Sequence, residues 1–247
     1  MLAMIVRILG TENPPRDLPG KRAAALQAIL QTEPEFADVG KHYLLNRIWD
    51  RGYLKKLITI LECHRASYSV IPFDWSIPLT RESLSRKGIA INAARNAAID
   101  WGQSRARYTV VLDGDCQFTS AGLQPILEEM RRDTYTYLSI PFCREATGRQ
   151  EEPQLAFRQD ALLRFDETLA FGQNDKLELL FRLGHDTTPH SGHLEITGDQ
   201  TRLVGEVQHH STGSLRTEQD NHVRGQLRAQ SLQELARRIR RYRRRVR

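Results

Sequence analysis

The chain has 247 residues, 40% hydrophobic and 27% charged, with 16 Gly and 10 Pro, which excludes a collagen, a coiled coil and a wholly disordered chain. At this length roughly 70–75% of the unfolded surface can be buried, so folding needs neither a disulfide nor a structural metal. The net charge of +6 is uneven: residues 224–247 hold ten arginines against one acid, Glu234, and the preceding body is mildly acidic.

Apolar runs of strand length alternate with helix-like stretches. Met4–Leu9 reads as a short strand closed by Gly10 and the turn-prone Glu12-Asn-Pro-Pro-Arg16. A helix follows over Lys21–Gln31, with Leu26, Ile29 and Leu30 on one face. His42–Asn46 and Tyr68–Pro72 are the next strands, separated by a helix over Gly52–Cys63. Ile89–Trp101 is helical, and Tyr108–Leu112 is a near-continuous apolar strand of the kind buried on both faces. Four strand–helix units in series predict an α/β fold with a mostly parallel central sheet flanked by helices. The second half is mixed: a helix over Leu123–Arg131, strands over Tyr135–Phe142 and Leu155–Arg158, and a helix over Asp175–Leu183 ended by Gly184. Leu194–His209 reads as two strands joined near Gly198-Asp199.

Asp113-Gly-Asp115 follows the apolar strand directly. Two carboxylates on such a turn suit Mg²⁺ or Mn²⁺, which bridge nucleotide phosphates; the competing reading is a solvated Asp-Gly turn. An EF-hand is excluded, since Phe118 and Gln124 stand where Gly and Glu are required. Asn92, Arg95 and Asn96 share one helical face, opposite Ile91, Ala94 and Ala98. There Arg95 either pairs with a diphosphate through its planar fork or belongs to a solvated face. Asp175 opens a helix, where its charge is favoured whether as a cap or a functional acid. His209 and His210 end a strand. A zinc site drawing on His185, His190 and His193 has poor spacing and no cysteine support.

In this order the motifs resemble the GT-A fold nucleotide-sugar glycosyltransferases, in the large family that includes cellulose and chitin synthases. Ala94-Arg95-Asn96 followed by Asp113-Gly-Asp115 is similar to that family's Ala-Arg-Asn helix and Asp-x-Asp turn. Gly172-Gln-Asn-Asp175 with Glu178-Leu179 and Arg182-Leu183 is similar to its later glycine, Glu-Asp and helix pattern. Asn174 departs from it, standing where the family has Glu. The resemblance spans residues 4–213 and implies a metal-dependent transferase, inverting, with Asp175 as the catalytic base. It implies Mn²⁺ or Mg²⁺ held by Asp115 and Asp113 with His209 or His210. It also implies a donor bound by Leu9, Gly10 and Thr11, by Asn46 or Asp50 at the base, and by Arg95, Asp113 and Asp115. A haloacid-dehalogenase-type phosphatase also carries Asp-x-Asp after a strand, but Gln117 stands where it wants Thr or Val, and position 113 is far from the domain start.

The expected organisation is a GT-A-like domain over 1–223 and an Arg-rich C-terminal helix over 224–247. In that helix Leu232, Leu235, Ile239, Tyr242 and Val246 form one apolar stripe among arginines. Such a helix packs on its own domain, lies on an anionic membrane or grips nucleic acid. Two acceptors follow: DNA carrying a hydroxymethylated base, or a lipid-linked or cell-surface glycan at an anionic membrane. A non-enzymatic nucleic-acid-binding protein explains the arginines but leaves Asp113, Asp115 and Asp175 without a role. No apolar run approaches the ~20 residues of a membrane span, and Met1–Val6 is too short for a signal-peptide core. Cys63, Cys116 and Cys143 are odd in number and match no metal spacing, so reduced thiols and a cytoplasmic location are expected.

Overall fold

The computed structural model describes residues 1–144, 150–172, 176–185, 200–210 and 221–246. β1 (Ala3–Leu9) is buried along its whole length because it runs through the middle of the sheet. β2 (Val39–Asn46) and β4 (Tyr108–Asp113) flank it, both parallel, and β3 (Tyr68–Ile71) extends the parallel set beyond β2. Parallel neighbours need crossovers, supplied by α1 (Lys21–Thr32), α2 (Arg51–Cys63) and α4 (Ile91–Gln103). A short α3 (Arg81–Ser83) leads into α4 through a π-helical turn, Leu84–Ile89. The register sets Ile8 opposite Asp113 and Leu9 opposite Leu45. The three strands therefore finish level at their carboxyl ends, the edge where open α/β sheets gather ligands.

The second half mixes strand directions. β7 (Gln150–Arg158) pairs with β4, and β6 (Tyr137–Arg144) pairs with β7. β8 (Thr201–Leu203) and β9 (Val207–His209) each lie parallel to β6, and β5 (Cys116–Gln117) is antiparallel to β9. The order is β3-β2-β1-β4-β7-β6-β9-β5, with β8 branching off β6. Only Gly114 and Asp115 separate β4 from β5 in the chain, yet β7, β6 and β9 lie between them in the ladder. The sheet therefore curls back on itself, and the Arg7 Nε–H closes the gap by donating to the Cys116 carbonyl (3.0 Å). The expected α/β class with a mixed second half is the fold found. The turn expected at Gly198-Asp199 lies outside the described residues; the strands at 201–203 and 207–209 each pair with β6.

Both faces of the sheet are covered. On one, Leu123, Ile126, Leu127 and Met130 of α5 (Ser120–Arg132) pack with Val110, Leu112 and Ile140. On the other, Ala94, Ala98 and Ile99 of α4 meet Met4, Val6 and Val111, small helix side chains that bring helix and sheet close, and Leu179 and Leu180 of α6 (Leu177–Arg182) join them. α1 and α2 share a third cluster around Leu26, Leu45, Leu57 and Leu61. The arginine-rich α7 (Asn221–Val246) buries Leu232, Leu235, Ala236 and Ile239 against Trp49, Phe73, Ile77 and Leu84. Tyr242 stacks on Trp75 with ring centroids 5.1 Å apart, and Arg243 Nη2 donates to the Trp75 and Ile77 carbonyls. α7 is thus docked on the α/β body. No helix among the described residues is long and apolar enough to cross a membrane.

Candidate active site

The Asp113–Asp115 turn leaves the end of β4 against the end of β1. A Cβ at Gly114 would lie 2.6 Å from the Ile8 carbonyl oxygen, so only glycine allows this approach without a shift. The two carboxylates then meet different surroundings. Asp113 is flanked by Lys176 Nζ (3.3 Å) and Arg95 Nη2 (3.5 Å), and Gln154 Nε2 donates to it (3.3 Å). Burial alone would raise its proton affinity; Lys176 and Arg95 outweigh that and the repulsion from Asp115, holding it well below the usual carboxylate range.

Asp115 faces the other way. Its Oδ2 lies 3.3 Å from His209 Nε2, because β5 pairs with β9 in a register that sets Cys116 opposite His209. The His210 backbone N–H donates to the Asp115 carbonyl (2.8 Å), while its ring bonds the Gln117 side chain. His209 thus stands beside the carboxylate and His210 is turned toward Gln117. Among the described residues no cluster of three or more His, Cys, Asp or Glu is formed.

The polar face of α4 is buried. Asn92 and Asn96 bind the loop at 165–167: Asn92 Nδ2 donates to the Asp166 carbonyl, while Asn96 both donates to the Phe165 carbonyl and accepts its N–H. Arg95 donates to Asn92 Oδ1 (2.8 Å) and lies over the Phe165 ring. Arg95 is only 6% exposed and stands behind Asp113. Asn46 donates to the Ile89 carbonyl (2.6 Å) and accepts from Arg47, which ties β2 to the start of α4. Asp50 caps α2 by accepting the Tyr53 N–H (3.0 Å).

Leu9, Gly10 and Thr11 lead into a loop folded around Asp17. That buried carboxylate accepts the Asn13 N–H (2.9 Å) and pairs with the Arg22 guanidinium (3.0 Å). Glu12 accepts the Gly20 and Arg22 N–H groups at the start of α1. Asp175 lies outside the described residues. Its chain neighbour Lys176 is 6% exposed and carries the ammonium that reaches Asp113. Lys176 and Gln154 escaped sequence reading: they lie 63 and 41 positions from Asp113, and no local pattern marks them. Arg16 ends the segment read as a turn and Arg22 lies in the first turn of the helix read after it; two arginines around an aspartate just after the first strand were the available signal.

Residues 83–189 match the family model described as "Glycosyl transferase family 2". The fold is similar to S. aureus TarS 1–349 solved with UDP-GlcNAc, at 11% identity and TM-score 0.53, covering 88% of this chain and 61% of that one. It is also similar to GalNAc-T7 solved with UDP, GalNAc and Mn²⁺, at 10% identity and TM-score 0.55, covering 86% and 44%. The fold is of the GT-A type. The resemblance read from Arg95-Asn96 and Asp113-Gly-Asp115 thus agrees with both comparisons, the matched segment containing those residues. The chain spans less than two thirds of either GT-A structure. No curated protein matches it.

Proposed function

We propose that this chain is a glycosyltransferase moving a sugar from a nucleoside-diphosphate donor to an acceptor hydroxyl, with inversion, at the carboxyl edge of β4. The observation that carries the reading is Asp115 beside His209 at 3.3 Å, on a turn whose other carboxylate is already neutralised by Lys176 and Arg95. The neighbours solved with UDP-GlcNAc and with UDP and Mn²⁺ support the donor class.

The donor set fits a divalent cation. A carboxylate and an imidazole side by side leave the remaining positions to water and phosphate oxygens, the usual way such ions meet nucleotides; the imidazole favours Mn²⁺ over Mg²⁺. When bound, the cation offsets charge growing on the departing diphosphate. Asp113, kept ionised by its two cations, fixes the turn through Gln154 and faces the donor beside Asp115. Arg95 acts on the donor through Asp113. The Leu9–Thr11 segment borders the donor, with Asn46 and Asp50 holding the neighbouring β2 edge. Asp175 takes the acceptor proton as the new C–O bond forms on the face opposite the breaking bond to phosphate.

The acceptor is a polyanion. Arg237, Arg240, Arg241, Arg244 and Arg245 are exposed on α7, and the helix's apolar stripe is already used within the fold, so the free face offers charge alone. DNA with a hydroxymethylated base accords with that better than a glycan at an anionic membrane, which an inserting apolar face would favour. Free Cys63 and Cys116 accord with a cytoplasmic site of action.

The test is nucleoside-diphosphate release from a panel of nucleotide sugars with Mn²⁺, with Mg²⁺ and with chelator, using the parent and Asp115→Asn, with and without hydroxymethylated duplex. Release from one donor should require metal, fall about 10²-fold or more in the variant and rise with the duplex. Release from no donor refutes the transferase; release that the duplex leaves unchanged refutes the DNA acceptor.

A further inference from the structure

β5 spans only Cys116 and Gln117, ends the strand order, and follows Asp115 directly. Backbone groups of successive strand residues face opposite edges. One edge is met by β9: Cys116 lies opposite His209, and the His210 N–H donates to the Asp115 carbonyl (2.8 Å). Among the described residues no strand pairs with the other edge. Two side chains occupy it instead. The Arg7 Nε–H donates to the Cys116 carbonyl (3.0 Å), and Glu33 Oε1 accepts the Phe118 N–H (3.0 Å). The pair thus takes the carbonyl and the N–H that a neighbouring strand would otherwise satisfy.

Both partners are anchored in the body of the fold. Arg7 lies within β1, its Nη2 is 2.5 Å from Glu33 Oε1, and its Nη1 donates to the Tyr43 hydroxyl on β2 (3.4 Å). Glu33 follows the last residue of α1, and Lys41 Nζ lies 3.5 Å from its Oε2. That last helical residue, Thr32, accepts from Gln117 Nε2 (2.7 Å), and the Gln117 carbonyl oxygen meets the His210 ring. A buried ion pair stabilises a fold little more than apolar residues of the same volume. What Arg7 and Glu33 add is direction: bonds to the backbone of a strand too short to hold its own place.

We propose that Arg7 and Glu33 are positioning residues for the cation, standing in for a strand at the outer edge of β5 and thereby holding Asp115 against His209. The proposal rests on the reading of Asp115 and His209 as cation ligands. Both residues act through the backbone of residues 116–118.

Two measurements separate the frame from the cation. In the metal-free protein, amide exchange of the His210 N–H reports whether β5 is held, with Val110 in the middle of β4 as the internal reference. Calorimetric Mn²⁺ affinity reports the consequence. Both are taken for the parent, Arg7→Met with Glu33→Leu, Arg7→Lys and Asp115→Asn, with Leu235→Ala as a control that loosens a separate core cluster. Urea unfolding verifies folding, and Arg7→Lys decides if the double variant does not unfold cooperatively. In the double variant His210 should exchange about tenfold faster relative to Val110, and Mn²⁺ should bind about tenfold more weakly or worse. Arg7→Lys, which keeps the charge without the fork, should fall between, and Leu235→Ala should match the parent in both ratios. His210 exchange within about twofold of the parent overturns the frame, and faster exchange with Mn²⁺ affinity within about twofold overturns its role in holding the cation. A parent that binds no Mn²⁺, or binds it as Asp115→Asn does, overturns the cation reading and the pair's role in it, while His210 exchange still decides whether the pair holds β5.

Discussion

The fully buried Arg7–Glu33 pair decides how the turn at Asp113–Asp115 is held. Arg7 Nη2 lies 2.5 Å from Glu33 Oε1, with side chains 0% and 1% exposed. Arg7 also donates to the Cys116 carbonyl, and Glu33 Oε1 accepts the Phe118 N–H (3.0 Å). One ion pair therefore ties β1 and the end of α1 to the strand that follows Asp115. Removing one partner strands a charge in the interior, so Glu33→Ala should lose about 3–5 kcal/mol of stability in urea unfolding. Arg7→Met with Glu33→Leu should recover most of that loss, and a double variant as unstable as the single one would show that the pair stabilises the fold beyond its mutual neutralisation. None of this is legible locally: Glu33 looks like any acid past a helix end, and its partner lies 26 residues back. Asp113 and Asp115 stand out in the sequence because an apolar strand ends abruptly in two carboxylates. Their unequal surroundings come from Lys176, Gln154 and His209, which the sheet delivers from elsewhere.

At the level of elements, α7 is the segment whose sequence admits most readings. Its 3–4 spacing of Leu232, Leu235 and Ile239 fits a helix packed on its own domain as well as one lying on a membrane. Packing wins because Trp49, Phe73, Ile77 and Leu84 present an apolar surface that would otherwise face water. Leu235→Ala should therefore cost about 2–5 kcal/mol, whereas a loosely docked appendage would lose less than about 0.5 kcal/mol; the shift in urea midpoint separates the two. The polar face of α4 follows the same logic. Asn92, Arg95 and Asn96 share a face by sequence spacing alone, yet that face is buried because the loop at 165–167 offers carbonyls and an N–H that these side chains satisfy.

For the molecule as a whole, two histidines make stability depend on pH. His42 is stacked on Trp101 with ring centroids 3.6 Å apart and bonded to Ser67 and Ser69. Burial, helped by Arg105, lowers its pKa to about 4, and burial lowers that of His185 to about 4 as well. The unfolded chain takes up these protons near pH 6.5, which the native protein refuses until about pH 4. Stability is therefore full above pH 6.5 and declines as pH falls from 6.5 to 4, each histidine adding a slope of at most about 1.4 kcal/mol per pH unit. Urea unfolding at stepped pH should show this decline, and His42→Gln with His185→Gln should flatten it. A parent as stable at pH 4.5 as at pH 7 refutes the assignment.

Local patterning carries the α/β class, the parallel first half, the arginine-rich last helix and the Asp-Gly-Asp turn at a strand end. Each of these follows from local periodicity or from residue types adjacent in the chain. Only the folded chain brings β5 back past three strands to seat His209 beside Asp115 and sets Lys176 and Arg95 against Asp113. Those pairings join residues between 18 and 94 positions apart. Strand order and helix docking set them by burying apolar faces, which carry no mark of what polar side chains they will bring together.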